Sequence, residues 1–209
     1  MLQENQDLRM KAESFYGLMK TRKSCRHFSG EAVDVEVLKT CILAAGSAPS
    51  GANKQPWFFS IVTKPELKQQ IRILAENEEI QFYTKKASQT FLNDLKPFKT
   101  NWSKPHLTEA AALIIIFYKN NEIVGEEKSN CYYAKESVGI ATGILITALH
   151  HLGLATLTHT PNPMGFLNEI TNRPSFEKPF LILAVGHRNK MSENLELYKK
   201  KFSEIGEVL

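Results

Sequence analysis

A chain of 209 residues with 43% hydrophobic and 10% aromatic content can bury a sizeable core and is not a disordered tract, and its length predicts one domain or at most two. The net charge of +4 comes from interspersed charges of both signs, and no nucleic-acid recognition motif accompanies it. The start MLQENQDLRMK has no apolar signal region, and the longest apolar run, Ala110 to Tyr118, falls far short of the roughly 20 residues of a membrane span. Three dispersed cysteines, Cys25, Cys41 and Cys131, offer neither a disulfide framework nor a CxxC metal pair, so a soluble protein of a reducing cytoplasm is expected.

In chain order, the apolar positions of Leu8 to Met19 predict an amphipathic helix that ends in the basic stretch TRKSCRHFS. Asp34 opens a second helix, with Val37, Leu38, Cys41, Ile42 and Ala45 at helical spacing and a stop at Gly46. The turn-rich segment SAPSGANKQP leads into a short strand, WFFSIV. Thr63 and Glu66, with Pro65 between them, predict a capping box that starts a helix running toward Glu79.

Ala111 to Tyr118 and Phe180 to Val185 are apolar, β-branched runs of strand length, which predicts two central strands buried on both faces. Between them, from about Tyr132 to Leu152, small residues (Gly139, Ala141, Thr142, Gly143, Ala148) alternate with large apolar ones. That pattern predicts a central helix packed on all sides. The strand LATLT follows at 154 to 158. This alternation of helices and strands, without repeats or a linker, indicates one α+β or α/β domain, and residues from about 190 to 209 form an arm beyond the core.

Three constellations carry chemistry. Arg22, Lys23, Ser24 and Arg26 crowd the exit of a helix, where guanidinium, ammonium and hydroxyl groups can hold a compact anion such as a phosphate. Lys199 to Lys201 form a second small basic cluster. In Ala48-Pro49-Ser50-Gly51-Ala52-Asn53-Lys54-Gln55-Pro56-Trp57, small residues let a ligand touch the main chain while Asn and Gln supply amide groups. Farther on, Glu79 and Tyr83 stand four apart on one helical face, and Lys104 follows in TNWSKPHL. An acid, a phenol and an ammonium can chelate an amino-acid zwitterion, Glu79 taking the α-ammonium and Lys104 with Tyr83 the α-carboxylate. Ser50 has no His/Asp partner set. His27, His106, His150, His151 and His187 share no ligand spacing, so they are assigned no site and no metal is expected.

Taken together, RKSCRxF, then LxAAGSAPSGANxQPW, then a strand resemble the FMN-dependent nitroreductase family. Within it, the ENEEI helix end, Leu92 to Lys96, the KTNWxK run, NCYYAKESVGIATGIL, GLATLTHTP and EKPFLILAVG resemble the iodotyrosine deiodinase branch over most of the chain. The resemblance implies a nitroreductase-like α+β fold, a mixed sheet wrapped by helices, and an intertwined homodimer with FMN and substrate at the subunit interface. It implies that Arg22, Lys23, Ser24 and Arg26 take the FMN phosphate and ring-carbonyl region, and that Ser50, Gly51 and Asn53 lie along the flavin. It further implies that Thr158 and His159 line the cofactor and that Thr160 reaches flavin N5. Lys199, with Lys200 nearly as well aligned, is implied to meet the phosphate.

By the same resemblance, Glu79, Tyr83 and Lys104 belong to an active-site lid at about 76 to 106, and the Ala52 N–H binds the substrate phenolate. The implied reaction is reductive dehalogenation of 3-iodo-L-tyrosine and 3,5-diiodo-L-tyrosine. The sequence shows no nicotinamide site, so the electron donor is expected to be a separate flavin reductase or ferredoxin-type protein. Some positions depart from the pattern. Lys23 stands for an expected arginine and His159 for an expected threonine, and Asn53 and Gln55 follow the general nitroreductases. The rival reading is therefore a general nitroreductase or quinone reductase using NAD(P)H; a binding protein without catalysis is a third.

Overall fold

The computed structural model describes residues 2–125, 127–190 and 197–209. Helix α1 (Leu2–Thr21) is followed by α2 (Val35–Gly46), strand β1 (Trp57–Val62) and α3 (Pro65–Gln81). A five-residue π-turn over Phe82–Lys86, the short helices α4 (Gln89–Leu95) and α5 (His106–Glu109), and strand β2 (Ala112–Lys119) come next. The hairpin β3 (Asn121–Val124) and β4 (Glu127–Asn130), helix α6 (Ala134–His151), β5 (Ala155–His159), α7 (Phe166–Ile170) and β6 (Glu177–Gly186) complete the order. The main sheet runs β1-β2-β6-β5.

Strand alternation builds two cores from one sheet. On one face Leu113, Ile115 and Phe117 of β2 join Ile182 and Ala184 of β6 beneath Ile71 and Ala75 of α3, Leu107 of α5 and Leu167 of α7. On the other, Ala112, Ile114 and Ile116 join Leu181, Leu183 and Val185 beneath Leu38, Cys41 and Ala45 of α2 and Val138, Leu145 and Leu149 of α6. Both long apolar runs are thus central and buried on two faces, as their sequences require. All three ladders of this sheet are antiparallel. Where a mixed sheet was expected, the named strands of this one are all antiparallel; among the described residues the parallel pairing is an isolated bridge from Ser24 to Thr156.

Asp34 caps α2, accepting the Glu36 N–H at 2.9 Å. The expected capping box at Thr63 does not form, because the N-cap of α3 is Lys64 and makes no side-chain cap bond. Pro65 sets that start instead, being free to occupy the first turn without an amide hydrogen. Helix α6 also differs from expectation. One side is buried through Ala141, Leu145 and Leu149, but Ile140 is 48% exposed, and a methyl added at Gly139 or Gly143 would meet nothing within 4 Å. Its small-residue face is open in the single chain. Residues 191–196 of the expected C-terminal arm lie outside the described residues.

Candidate active site

The basic cluster is fixed by its exit from α1. Arg22 N–H donates to Met19 O at 3.2 Å, and Cys25 N–H donates to Thr156 O at 3.0 Å, laying residues 22–26 alongside β5. The first cluster is thereby brought to the strand whose end carries Thr158, His159 and Thr160. Arg26 reaches further and stacks its guanidinium on Phe98 at 5.2 Å, touching the segment between α4 and α5. Lys199 and Lys200 are exposed on the C-terminal segment beyond the undescribed stretch.

The 50–55 turn has an unusual backbone. Ala52, Asn53 and Gln55 all have positive φ (51°, 54° and 46°), a region that costs non-glycine residues energy and concentrates at ligand sites. Asn53 N–H donates to Ser50 O and Lys54 N–H to Gly51 O, while Gln55 N–H donates to Ser50 Oγ at 2.9 Å. Ser50 therefore acts as the internal brace of the turn. Among the described residues, none of these bonds uses the Ala52 N–H. Gly51 is required by crowding, since an added Cβ would lie 3.0 Å from both Cβ and O of Tyr132. Lys54 anchors the turn to the β3–β4 hairpin, donating to Glu122 and Ser129 at 2.8 Å each.

Glu79, Tyr83 and Lys104 come together. Lys104 Nζ lies 3.1 Å from Glu79 Oε2, with only 6% and 13% of the two side chains exposed, and it sits over the Tyr83 ring at 5.2 Å. The π-turn at Phe82–Lys86 gives Tyr83 this aspect; such turns interrupt helices mainly at functional sites. Burial pushes the Glu79 carboxyl above the usual carboxylate range, and the Lys104 ammonium opposes that rise. Burial likewise raises the Tyr83 phenol, opposed by its hydrogen bond with Thr100.

Two residues of this site had no signal as ligands in the sequence. Glu76 binds Arg72 Nε at 2.8 Å and the Lys104 N–H at 2.7 Å, stapling the returning chain to α3; its only trace is its place one helical turn before Glu79. His106, assigned no site from its spacing, packs edge-to-face on His159 with centroids 5.3 Å apart. His159 is buried, whereas its neighbours Thr158 and Thr160 are exposed. Alternation along β5 thus turns the imidazole away from the two threonines and toward Glu79, whose Oε1 is 3.8 Å from His159 Nε2. Both histidines have pKa values pushed down to about 3, chiefly by burial, with Lys104 contributing.

A cavity of ≈ 300 Å³ is bounded by Arg26, Thr100, Lys104, His106, Thr158 and His159 among others. It joins Arg26 of the basic cluster, the threonine strand end and the 99–106 segment. The donor set fits a phosphate-bearing planar cofactor, with cations and a serine hydroxyl beside an exposed strand end; the 50–55 turn leads into β1, at the opposite edge of the sheet from β5, and does not line this cavity in the single chain. The adjoining Glu79–Lys104 pair presents one negative and one positive group, matched to a zwitterion.

The nitroreductase family model matches residues 19–187. The chain is 44% identical over 186 residues to iodotyrosine deiodinase of Haliscomenobacter hydrossis, covering 88% of this chain and 83% of that protein. It is 40% identical over 202 residues to iodotyrosine deiodinase 1 of Rattus norvegicus, covering 96% and 71%. A crystal structure of oxidized iodotyrosine deiodinase bound to FMN and 3-iodo-L-tyrosine is similar with a TM-score of 0.78 and 32% identity, over 90% of this chain and 96% of that one. A BluB-like flavoprotein from Clostridium difficile 630 shares the fold at a TM-score of 0.72 and 22% identity, over 93% and 98%.

Proposed function

The chain belongs to the nitroreductase family, and from that premise and its likeness to iodotyrosine deiodinases we propose an FMN-dependent oxidoreductase that reductively dehalogenates 3-iodo-L-tyrosine and 3,5-diiodo-L-tyrosine. The observation that carries the substrate is the Glu79–Lys104 pair at 3.1 Å with Tyr83 beneath it. In the overall change a C–I bond is replaced by C–H, two electrons and one proton enter, and iodide leaves. FMN, when bound, supplies the electrons.

Arg22, Lys23, Ser24, Arg26 and Lys199 would hold the FMN phosphate and ring-carbonyl region, and Ser50, Gly51, Asn53 and Thr158 would border the ring. The Thr160 hydroxyl would donate to flavin N5. The Ala52 N–H, outside the bonds of its own turn, donates to the substrate phenolate and orients the halogenated carbon. Glu79 takes the α-ammonium, and Lys104 and Tyr83 take the α-carboxylate, so binding closes residues 76–106 over the site and excludes water.

The chain is read as one domain, 1–209, with that lid and a C-terminal arm from 190. Its assembly is proposed to be a homodimer with the site at the interface, and the open face of α6 around Gly139, Ile140 and Gly143 supports this. A separate reductase or ferredoxin-type protein is proposed as electron donor, in the cytoplasm; among the described residues no helix is long and apolar enough to cross a membrane.

The deciding experiment is anaerobic titration of the photoreduced holoprotein with 3-iodo-L-tyrosine. Flavin reoxidation with one iodide released per flavin is expected. A flavin that stays reduced with iodotyrosine, yet is reoxidised by a nitroaromatic, would establish the general reductase instead.

A further inference from the structure

His159 sits where the family resemblance leads one to expect threonine, and its placement gives it a task in substrate capture; this inference rests on the halotyrosine reading above. The side chain closes the floor of the lid. Its Nε2 is buried, has no hydrogen-bond partner, and faces Glu79 Oε1 at 3.8 Å. The ring is held on edge by His106, at an interplanar angle of 76°. A buried polar atom without a partner is costly, and this one is less than an ångström from a good bond to the carboxylate that binds the ammonium.

That carboxylate is committed elsewhere in the free protein, to Lys104 at 3.1 Å. A zwitterion that engages Lys104 through its α-carboxylate draws the ammonium away and strips Glu79 of its internal cation. We propose that His159 is a positioning residue for halotyrosine capture: its Nε2–H takes the Glu79 oxygen it faces as Lys104 turns to the substrate, holding the carboxylate ionised and aimed at the α-ammonium.

The groups around the imidazole make a neutral donor the right one. Glu79 faces it from α3, Lys104 from the segment before α5, and His106 from α5; Tyr83 lies beyond Lys104. Arg26 and Arg72 add positive field to His106. In that setting burial and the nearby Lys104 keep the His159 ring uncharged. A permanent cation at this position would compete with the substrate ammonium for Glu79. A neutral N–H steadies the carboxylate without neutralising it, and threonine has a shorter reach.

The test uses the FMN-loaded protein with 3-iodo-L-tyrosine and 2-iodophenol, which lacks both zwitterion charges. His159→Phe fills the space without a donor, and His159→Gln restores an N–H near Nε2. With Phe, the preference for iodotyrosine over 2-iodophenol in kcat/KM should fall about tenfold or more, the worth of a hydrogen bond to a charged group. The loss should lie in the Kd of the oxidised protein for iodotyrosine. Its acid limb, where Glu79 gains a proton, should move to higher pH, and Gln should recover most of both effects.

Three results would overturn the proposal. One is a His159→Phe protein with wild-type preference and pH profile. Another is equal loss on both substrates in Phe and Gln alike, which would make the ring a packing residue. Wild-type flavin left reduced by iodotyrosine would remove the underlying reading itself.

Discussion

Replacing Lys104 with methionine tests the charge logic of the lid. The substitution keeps length and apolar stem but deletes an ammonium that is 6% exposed and 3.1 Å from Glu79. Removing one partner of a buried pair costs about 3–5 kcal/mol because the other charge is left uncompensated; Glu79, at 13% exposure, belongs near the lower end. Glu79 can escape part of that cost by taking up a proton, since burial already raises its pKa and Lys104 is what opposes the rise. Either way the substrate loses the partner of its carboxylate, and where Glu79 has taken up a proton it also meets a carboxyl less able to hold its ammonium. About 3 kcal/mol corresponds to roughly a hundredfold weaker Kd. Titrating the oxidised holoprotein with iodotyrosine while following flavin absorbance reads this directly, and the FMN content should match wild type because Lys104 lies outside the basic cluster. A Kd within a factor of about three of wild type would refute the assignment of Lys104 to the zwitterion.

His106→Phe removes a buried ring with an unpartnered Nε2. The folded pKa of this ring lies at about 3, below its ordinary 6.5, so its contribution is fully present above that upper value and is lost as pH falls toward the lower one. The loss runs at about 1.4 kcal/mol per pH unit for this group. Thermal melts from neutral to acid pH should show a shallower decline in the variant, and an unchanged slope would mean that the ring is protonated in the fold. Gly51→Ala places a methyl 3.0 Å from the Tyr132 carbonyl oxygen; overpacking of this kind costs about 1–3 kcal/mol and should displace the 50–55 turn. Weaker FMN retention on dilution is expected, and wild-type retention would remove this turn from the cofactor site.

What the sequence disclosed depends on how local the cause is. The β2 and β6 segments were legible because an unbroken apolar run is the mark of a strand covered on both faces, and α2 because Asp34 supplies its own cap. At α3 the same kind of reading failed by one residue, since Pro65 fixes the start at Lys64 without any help from Thr63. The polar hairpin β3–β4 carries no alternation to announce it, yet Lys54 reaches across to it and braces the 50–55 turn. His106 was illegible for a different reason. Its partner His159 stands at the end of β5, with three strands and α6 between them in sequence, so no spacing along the chain records a contact made only by the fold, and Glu76 likewise shows its purpose only when the 104 segment returns to α3.

On the proposed reading, the pre-paired Glu79 and Lys104 would select a zwitterion and not merely an anion or a cation. A ligand with only a carboxylate would draw Lys104 away and leave Glu79 buried without a counter-charge; a ligand with only an ammonium would do the same to Lys104. Each would forfeit much of what it gained, because an uncompensated buried charge is costly. An amino acid replaces both charges at once, exchanging one internal pair for two external ones with the net charge of the pocket unchanged. Discrimination then arises from the pair already present at 3.1 Å. It follows that the selectivity depends on Glu79 being ionised and should decline below the raised pKa that burial imposes on it.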